Sequence, residues 1–192
     1  MSNIYFTSDW HLQHKNIHKL RKEVESEQHN EYLIKMSCRI LTKRDTLFLL
    51  GDICFTEDAL QLIDDLPKCR KILVKGNHDL EGTRRLLDVF DEVEGFVRYK
   101  KFWLSHCPVH PDELRGRTNI HGHTHYITLD DNRYLNVCPE RSMVKYGSYL
   151  VTYDQVKEYF SLGGVGYTEP KPQPVFTLGV HPWFKVEDKD SV

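Results

Sequence analysis

The chain has 192 residues, 40% hydrophobic and 28% charged, which suits a globular protein of one domain with a proper core. A formal net charge of −2 excludes a general attraction to nucleic acid or acidic membranes, so any anion must be held locally. Five scattered cysteines with no Cys-x-x-Cys pair, no secretory signal and no apolar run near the ~20 residues of a membrane span point to a reducing cytoplasm.

Taken in order, residues 4–7 read as a short buried strand, with Asp9 and His11 on the loop behind it. Asn16 is placed to cap a helical run through Ile17, Leu20 and Val24, and a second helix is expected over 27–41. A strand over 46–50 ends at Gly51-Asp52, and a helix over 57–66 is stopped by Pro67. The strand over 70–74 runs into Lys75-Gly76-Asn77-His78-Asp79, followed by a helix over 83–90. Strands over 93–99 and 101–105 then follow one another, with a polar loop over 107–117 and strands over 118–122, 134–138 and 148–152. Residues 154–160 read as a closing helix. Strand and helix alternate first and strands then follow strands, which predicts a sheet-rich α/β core of two packed sheets flanked by helices.

After Gly163 the composition changes. Half of the chain's eight prolines lie between Pro170 and Pro182, interleaved with Phe176, Leu178, Val180, Trp183 and Phe184. The expected division is a domain over 1–162 and an extension over 163–192. Residues 170–184 should form an extended strap packed on the domain or on a second subunit, across the cleft in the sharper version.

Five times an apolar, strand-like run is followed by Asp, Asn or His: at Asp9 and His11, at Asp52, at Asn77-His78-Asp79, at His106, and at His123 and His125. A strand-ending turn needs only a Gly and one Asn or Asp, so this many polar side chains at strand ends predicts a metal site. Asp9 with His11 and His123 with His125 read as i, i+2 pincers whose members point the same way across extended backbone. Carboxylate, imidazole and amide donors without a well-placed thiolate suit manganese first, with iron, zinc, nickel or cobalt as alternatives. Two such ions ~3.5–4 Å apart would polarise a phosphoryl oxygen and turn a bridging water into hydroxide. His78 is placed to protonate the leaving oxygen, with Asp79 orienting it.

In this order, Asp9-x-His11, Gly51-Asp52, Gly76-Asn77-His78-Asp79, His106 and Gly122-His123-x-His125 resemble the signature of the calcineurin-like metallophosphoesterases, over residues 4–160. Residues 9–16, 104–108 and 135–138 are similar to a small bacterial and phage type. The resemblance implies a four-layer sandwich with helices outside two central sheets. It implies one ion on Asp9, His11, Asp52 and His125, and a second on Asp52, Asn77, His106 and His123. The implied reaction is hydrolysis of a small phosphate ester, a phosphodiester such as a nucleotide ahead of a monoester. The alternatives are a non-catalytic scaffold that keeps the fold, or a nuclease acting on DNA or RNA. Ser105 stands where the family often has Gly.

Several polar residues carry weaker expectations. His14 and Lys15 follow the first pair closely enough to reach a substrate phosphate, and Arg115 and Arg117 flank Gly116 as a phosphate clamp. Trp10 reads as a packing residue, His29 and the charged run 19–27 as solvated, and Glu140 with Arg141 as a structural ion pair. A homo-oligomer is compatible with the strap.

Overall fold

The computed structural model describes residues 2–21 and 26–164. The chain begins with Ile4–Thr7 (β1), Ile17–Leu20 (α1), Ser26–Ile40 (α2), Thr46–Leu49 (β2) and Glu57–Asp64 (α3). Arg70–Val74 (β3), Thr83–Leu86 (α4), Glu92–Glu94 (β4), Val97–Tyr99 (β5) and Phe102–Ser105 (β6) follow. Thr118–His121 (β7), Tyr134–Asn136 (β8), Pro139–Tyr146 (α5), Val151–Thr152 (β9) and Tyr153–Ser161 (α6) complete the order. One sheet has the order β4-β3-β2-β1-β9, parallel except for the antiparallel edge strand β9. The other has the order β5-β6-β7-β8, with β5 antiparallel to β6 and the rest parallel. Among the described residues no helix is long and apolar enough to cross a membrane.

Strand alternation sets the layers, because successive side chains point to opposite faces. Phe6, Phe48, Leu50, Ile72 and Val74 share one buried cluster with Phe102, Leu104, Ile120, Leu135 and Val137 of the second sheet. Phe6 stacks on Phe48 at 5.4 Å within it. Tyr5, Leu47, Leu49 and Leu73 belong to the other face and pack with Leu33 of α2 and Ala59, Leu60 and Ile63 of α3. Each such fully buried side chain contributes about 1.5–3 kcal/mol relative to exposure, and both faces of the parallel sheet are filled this way. The outer face of the second sheet is covered by the loop over 107–117. Trp103 donates its indole N–H to the Leu114 carbonyl (3.0 Å), and the Tyr134 hydroxyl donates to the Val109 carbonyl (2.6 Å). A capping box of Thr152 and Gln155 starts α6, whose Phe160 stacks on Phe102 at 5.5 Å.

The expected two-sheet architecture is present, with local differences. The strand expected over 93–99 is two strands in different sheets. Val93 pairs with Leu73 and Val97 with Leu104, so the chain crosses between sheets at Gly95-Phe96. Helix α4 ends at Leu86 rather than at residue 90, although Phe90 is still buried. Asn16 makes no side-chain cap for α1. Helix α5 was not expected. The extension beyond residue 164, including the strap over 170–184, lies outside the described residues.

This topology collects the polar blocks. β1, β2 and β3 are parallel neighbours in register, so the residues after Thr7, Leu49 and Val74 emerge at one edge. β6 and β7 are parallel too, with Ser105 opposite His121, so His106 and His123 emerge together. The two edges meet where the His123 N–H donates to Asp9 Oδ2 (2.8 Å) and His106 Nδ1 to the Leu50 carbonyl (2.9 Å). Ligand sites of α/β sheets lie at such carboxyl ends.

Candidate metal centre

Asp9, His11, Asp52, His123 and His125 all have positive φ, between 47 and 68°. Among the described non-glycine residues only Gln13, Lys100 and Arg115 share that conformation. Left-handed backbone at such residues costs on the order of 1–3 kcal/mol each and persists where surrounding structure enforces it. The strain here is local to the strand ends. It also corrects the pincer geometry. The pairs are not extended, and His123 and His125 point to different partners.

Two donor clusters result. In the first, Asp9 Oδ1 lies 3.7 Å from His11 Nε2 and 3.8 Å from His125 Nε2, and His11 Nε2 lies 4.0 Å from Asp52 Oδ2. In the second, His106 Nε2 lies 3.3 Å from Asp52 Oδ2, 3.0 Å from Asn77 Oδ1 and 3.1 Å from His123 Nδ1. The Leu50 carbonyl can only accept, so Nδ1 of His106 carries the proton of that hydrogen bond and Nε2 is left facing Asp52 Oδ2, Asn77 Oδ1 and the His123 ring. Donors ~2.1 Å from a shared ion sit about 3–3.5 Å apart, so the second cluster is close to ligating geometry and the first slightly open. Asp52 belongs to both.

The arrangement fits divalent ions. Asp9 Oδ1 and His11 Nε2 are buried without a hydrogen-bond partner, a cost that a cation would remove. The sets Asp9, His11, His125 and Asp9, Asp52, His106 each bring their donor atoms within 4.8 Å of one another. Backbone has been cleared for them as well. A Cβ on Gly51, whose φ is +86°, would lie 2.6 Å from His106 Nδ1, and one on Gly122 would lie 2.3 Å from Asp9 Oδ2.

The electrostatics favour ionised acids and charged imidazoles. Burial pushes the Asp9 and Asp52 carboxyls up, but hydrogen bonds and charges from His11 and His106 outweigh it, and both end below the usual carboxylate range. Burial pulls His106 and His125 down, but Asp52 and Glu140 respectively hold both above an ordinary imidazole. Metal ions and protons therefore compete for the same donors.

The remaining expected residues divide. His78 is half-buried, its ring 5.6 Å from that of His11 and 5.0 Å from Phe55, and its backbone N–H donates to Asp52 Oδ1 (2.8 Å). Asp79, expected behind His78, is employed otherwise. Its two oxygens accept the backbone N–H groups of Asp52, Ile53, Cys54 and Gly76 at 2.8–3.2 Å, tying the two ligand loops together. His14 packs on Phe55 (4.1 Å) near His11, and Lys15 beside it is exposed. Arg115 and Arg117 do not reach the centre. Arg115 pairs with Glu113 (3.0 Å), and Arg117 donates to the Lys100 carbonyl (3.3 Å) while lying over Trp103. Both precede β7, whose four residues put the centre about 13 Å away at its far end.

A buried layer behind the first cluster escaped the sequence. Arg21, from the run read as solvated, is 6% exposed and pairs with Glu140 (2.7 Å), which is 5% exposed and lies 3.3 Å from His125 Nδ1. Arg21 thus holds Glu140, for which the sequence suggested its neighbour Arg141. His29 is fully buried, not solvated, and its Nε2–H donates to the Trp10 carbonyl (2.6 Å). Cys138 donates its thiol to Asp9 Oδ2 (3.2 Å). Trp10 is a packing residue as expected, edge-on to Tyr149 at 5.9 Å.

Known proteins resemble the chain over most of its length. The Gene 66 protein of Mycobacterium phage L5 is 32% identical over 163 residues, 65% of this chain and 78% of that protein. The uncharacterized protein MJ1445 of Methanocaldococcus jannaschii is 29% identical over 163 residues, 81% of this chain and 87% of that protein. The crystal structure of the protein of unknown function AQ665 from Aquifex aeolicus superposes with a TM-score of 0.64 at 26% identity, covering 82% of this chain and 99% of that one. The family profile for calcineurin-like phosphoesterases matches residues 2–191.

Proposed function

Because the chain belongs to the calcineurin-like phosphoesterase family, we propose that it is a hydrolase carrying two divalent ions and acting on a small phosphate ester, a phosphodiester such as a nucleotide ahead of a monoester. The observation that supports a pair of ions is the double role of Asp52, whose Oδ2 lies 3.3 Å from His106 Nε2 and 4.0 Å from His11 Nε2. Asp9, His11, Asp52 and His125 would hold one ion, and Asp52, Asn77, His106 and His123 the other. Bound there, divalent ions supply Lewis-acid polarisation of the phosphoryl group and an activated water. Manganese is the first choice for this N/O donor set, with iron, zinc, nickel and cobalt next.

The chain's own groups do the rest. The half-buried His78 imidazole stands beside His11 and Phe55, in position to give a proton to a leaving oxygen on that side of the centre. Its backbone N–H and the four amides on Asp79 hold Asp52 and the Asn77 loop in one arrangement before substrate arrives. His14, whose ring lies 5.7 Å from that of His11, and the exposed Lys15 next to it in the chain would meet a substrate phosphate.

The test is hydrolysis of bis-p-nitrophenyl phosphate by the purified, metal-stripped protein after addition of Mn, Fe, Co, Ni or Zn. Turnover with at least one ion, abolished by Asp52→Asn, is the expected result. Metal uptake without turnover on this ester, linear and cyclic nucleotides, DNA or RNA would leave a non-catalytic scaffold as the reading.

A further inference from the structure

We infer that Arg21 and Glu140 form a buried clamp that positions the ligands of the first ion and not those of the second. The inference rests on the two-ion reading above. Arg21 donates from one guanidinium to three groups: Nη2 to the Asp9 carbonyl (2.8 Å), Nη1 to the Trp10 carbonyl (3.3 Å) and Nε to Glu140 Oε1 (2.8 Å). The planar fork thus holds the backbone of the turn in which Asp9 and His11 have φ of 51 and 50°. Nε2–H of His29 closes on the same Trp10 carbonyl at 2.6 Å.

Glu140 carries the clamp to the third ligand. Its Oε1 lies 3.3 Å from His125 Nδ1, so Nδ1 carries the proton and Nε2 is left facing Asp9 Oδ1 at 3.8 Å. A carboxylate behind a ligating imidazole fixes its tautomer and raises its basicity.

A separate metal site at His125, Cys138 and Glu140 is the competing reading, since their donor atoms also lie within 4.8 Å of one another. The contacts favour the clamp instead: the Cys138 thiol gives its proton to Asp9 Oδ2, and Glu140 Oε1, the oxygen that faces His125, also accepts from Arg21. The second cluster is fixed by other means, His106 by the Leu50 carbonyl and Asp52 by the His78 amide.

The test measures metal binding rather than turnover. Full-length wild type, Glu140→Gln, Arg21→Met and Arg21→Lys are stripped of metal and titrated with Zn by calorimetry. Ring-nitrogen NMR assigns each step, His11 and His125 reporting the first ion and His106 and His123 the second. Glu140→Gln and Arg21→Met should weaken the first ion about 10–100-fold and leave the second unchanged. Arg21→Lys, which restores charge without the fork, should fall between. Variants that melt earlier yet bind both ions as wild type does would reduce the pair to a structural ion pair and overturn the inference while the two-ion reading stands. Should Arg21→Met fail to fold, the isosteric Glu140→Gln decides alone. A wild type that takes up no ion would overturn both.

Discussion

Five candidate ligands sit on left-handed backbone, each in the loop that follows a strand. Asp9, His11, Asp52, Asn77, His106, His123 and His125 were all legible as donors, because polar residues after apolar strands are conspicuous. Their partners were not. Arg21 and Glu140 are 119 positions apart, and each stands beside charged neighbours that offered a simpler account. His78→Ala should keep both ions and lose turnover, most severely for esters with poor leaving groups. Equal loss on p-nitrophenyl and alkyl esters, with metal content checked, would remove the acid role. His29 concerns stability. Burial and the Arg21 charge hold its imidazole down at about 3, so below pH ~6.5 the unfolded chain binds a proton that the folded one refuses. Unfolding then takes up protons, and stability falls as pH drops, by up to about 1.4 kcal/mol per pH unit from this group. Urea unfolding at pH 7 and 5 should show a smaller loss in His29→Gln, which keeps a donor for the Trp10 carbonyl but cannot titrate. Equal losses would mean that His29 is not held neutral.

At the scale of elements, most strands and the longer helices lie within a residue or two of their expected places, since apolar runs bounded by Gly, Pro and Asp mark them well. Helix α5 carried its own signals, Pro139 in its first turn and Gly147 with φ 65° after its end, but no long apolar stripe drew attention to it. The expected strand over 93–99 hid a crossover because Val93 and Val97 are equally good strand residues in either sheet. Gly51 links an element to the centre. Ala there would face both a φ of +86° and a Cβ 2.6 Å from His106 Nδ1. Gly51→Ala should destabilise by more than about 1 kcal/mol and weaken the second ion more than the first, by melting temperature and Zn titration. By contrast, Thr152→Ala breaks the capping box of α6 away from the centre. It should cost about 1 kcal/mol with metal binding unchanged, and altered metal binding would show that α6 and the site are coupled.

For the molecule as a whole, the fold is a device for bringing two sets of parallel strand ends together. The order of the five polar blocks was readable from one end of the chain to the other, and so was the two-sheet class. The division of these blocks between two ions came from the family resemblance and not from the residues alone, because its geometry depends on the register of β6 with β7 and on the crossover at residues 95–96. The same register separates Arg115 and Arg117 from the centre, although they stand close to His106 in sequence. In the proposed centre Asp52 joins two ions. The measurement that addresses it most directly is anomalous diffraction from crystals of the protein grown with Mn. Two peaks about 3.5–4 Å apart should flank the Asp52 carboxylate, one against Asp9, His11 and His125 and the other against Asn77, His106 and His123. A single peak, or a pair of peaks that does not share Asp52, would contradict the account.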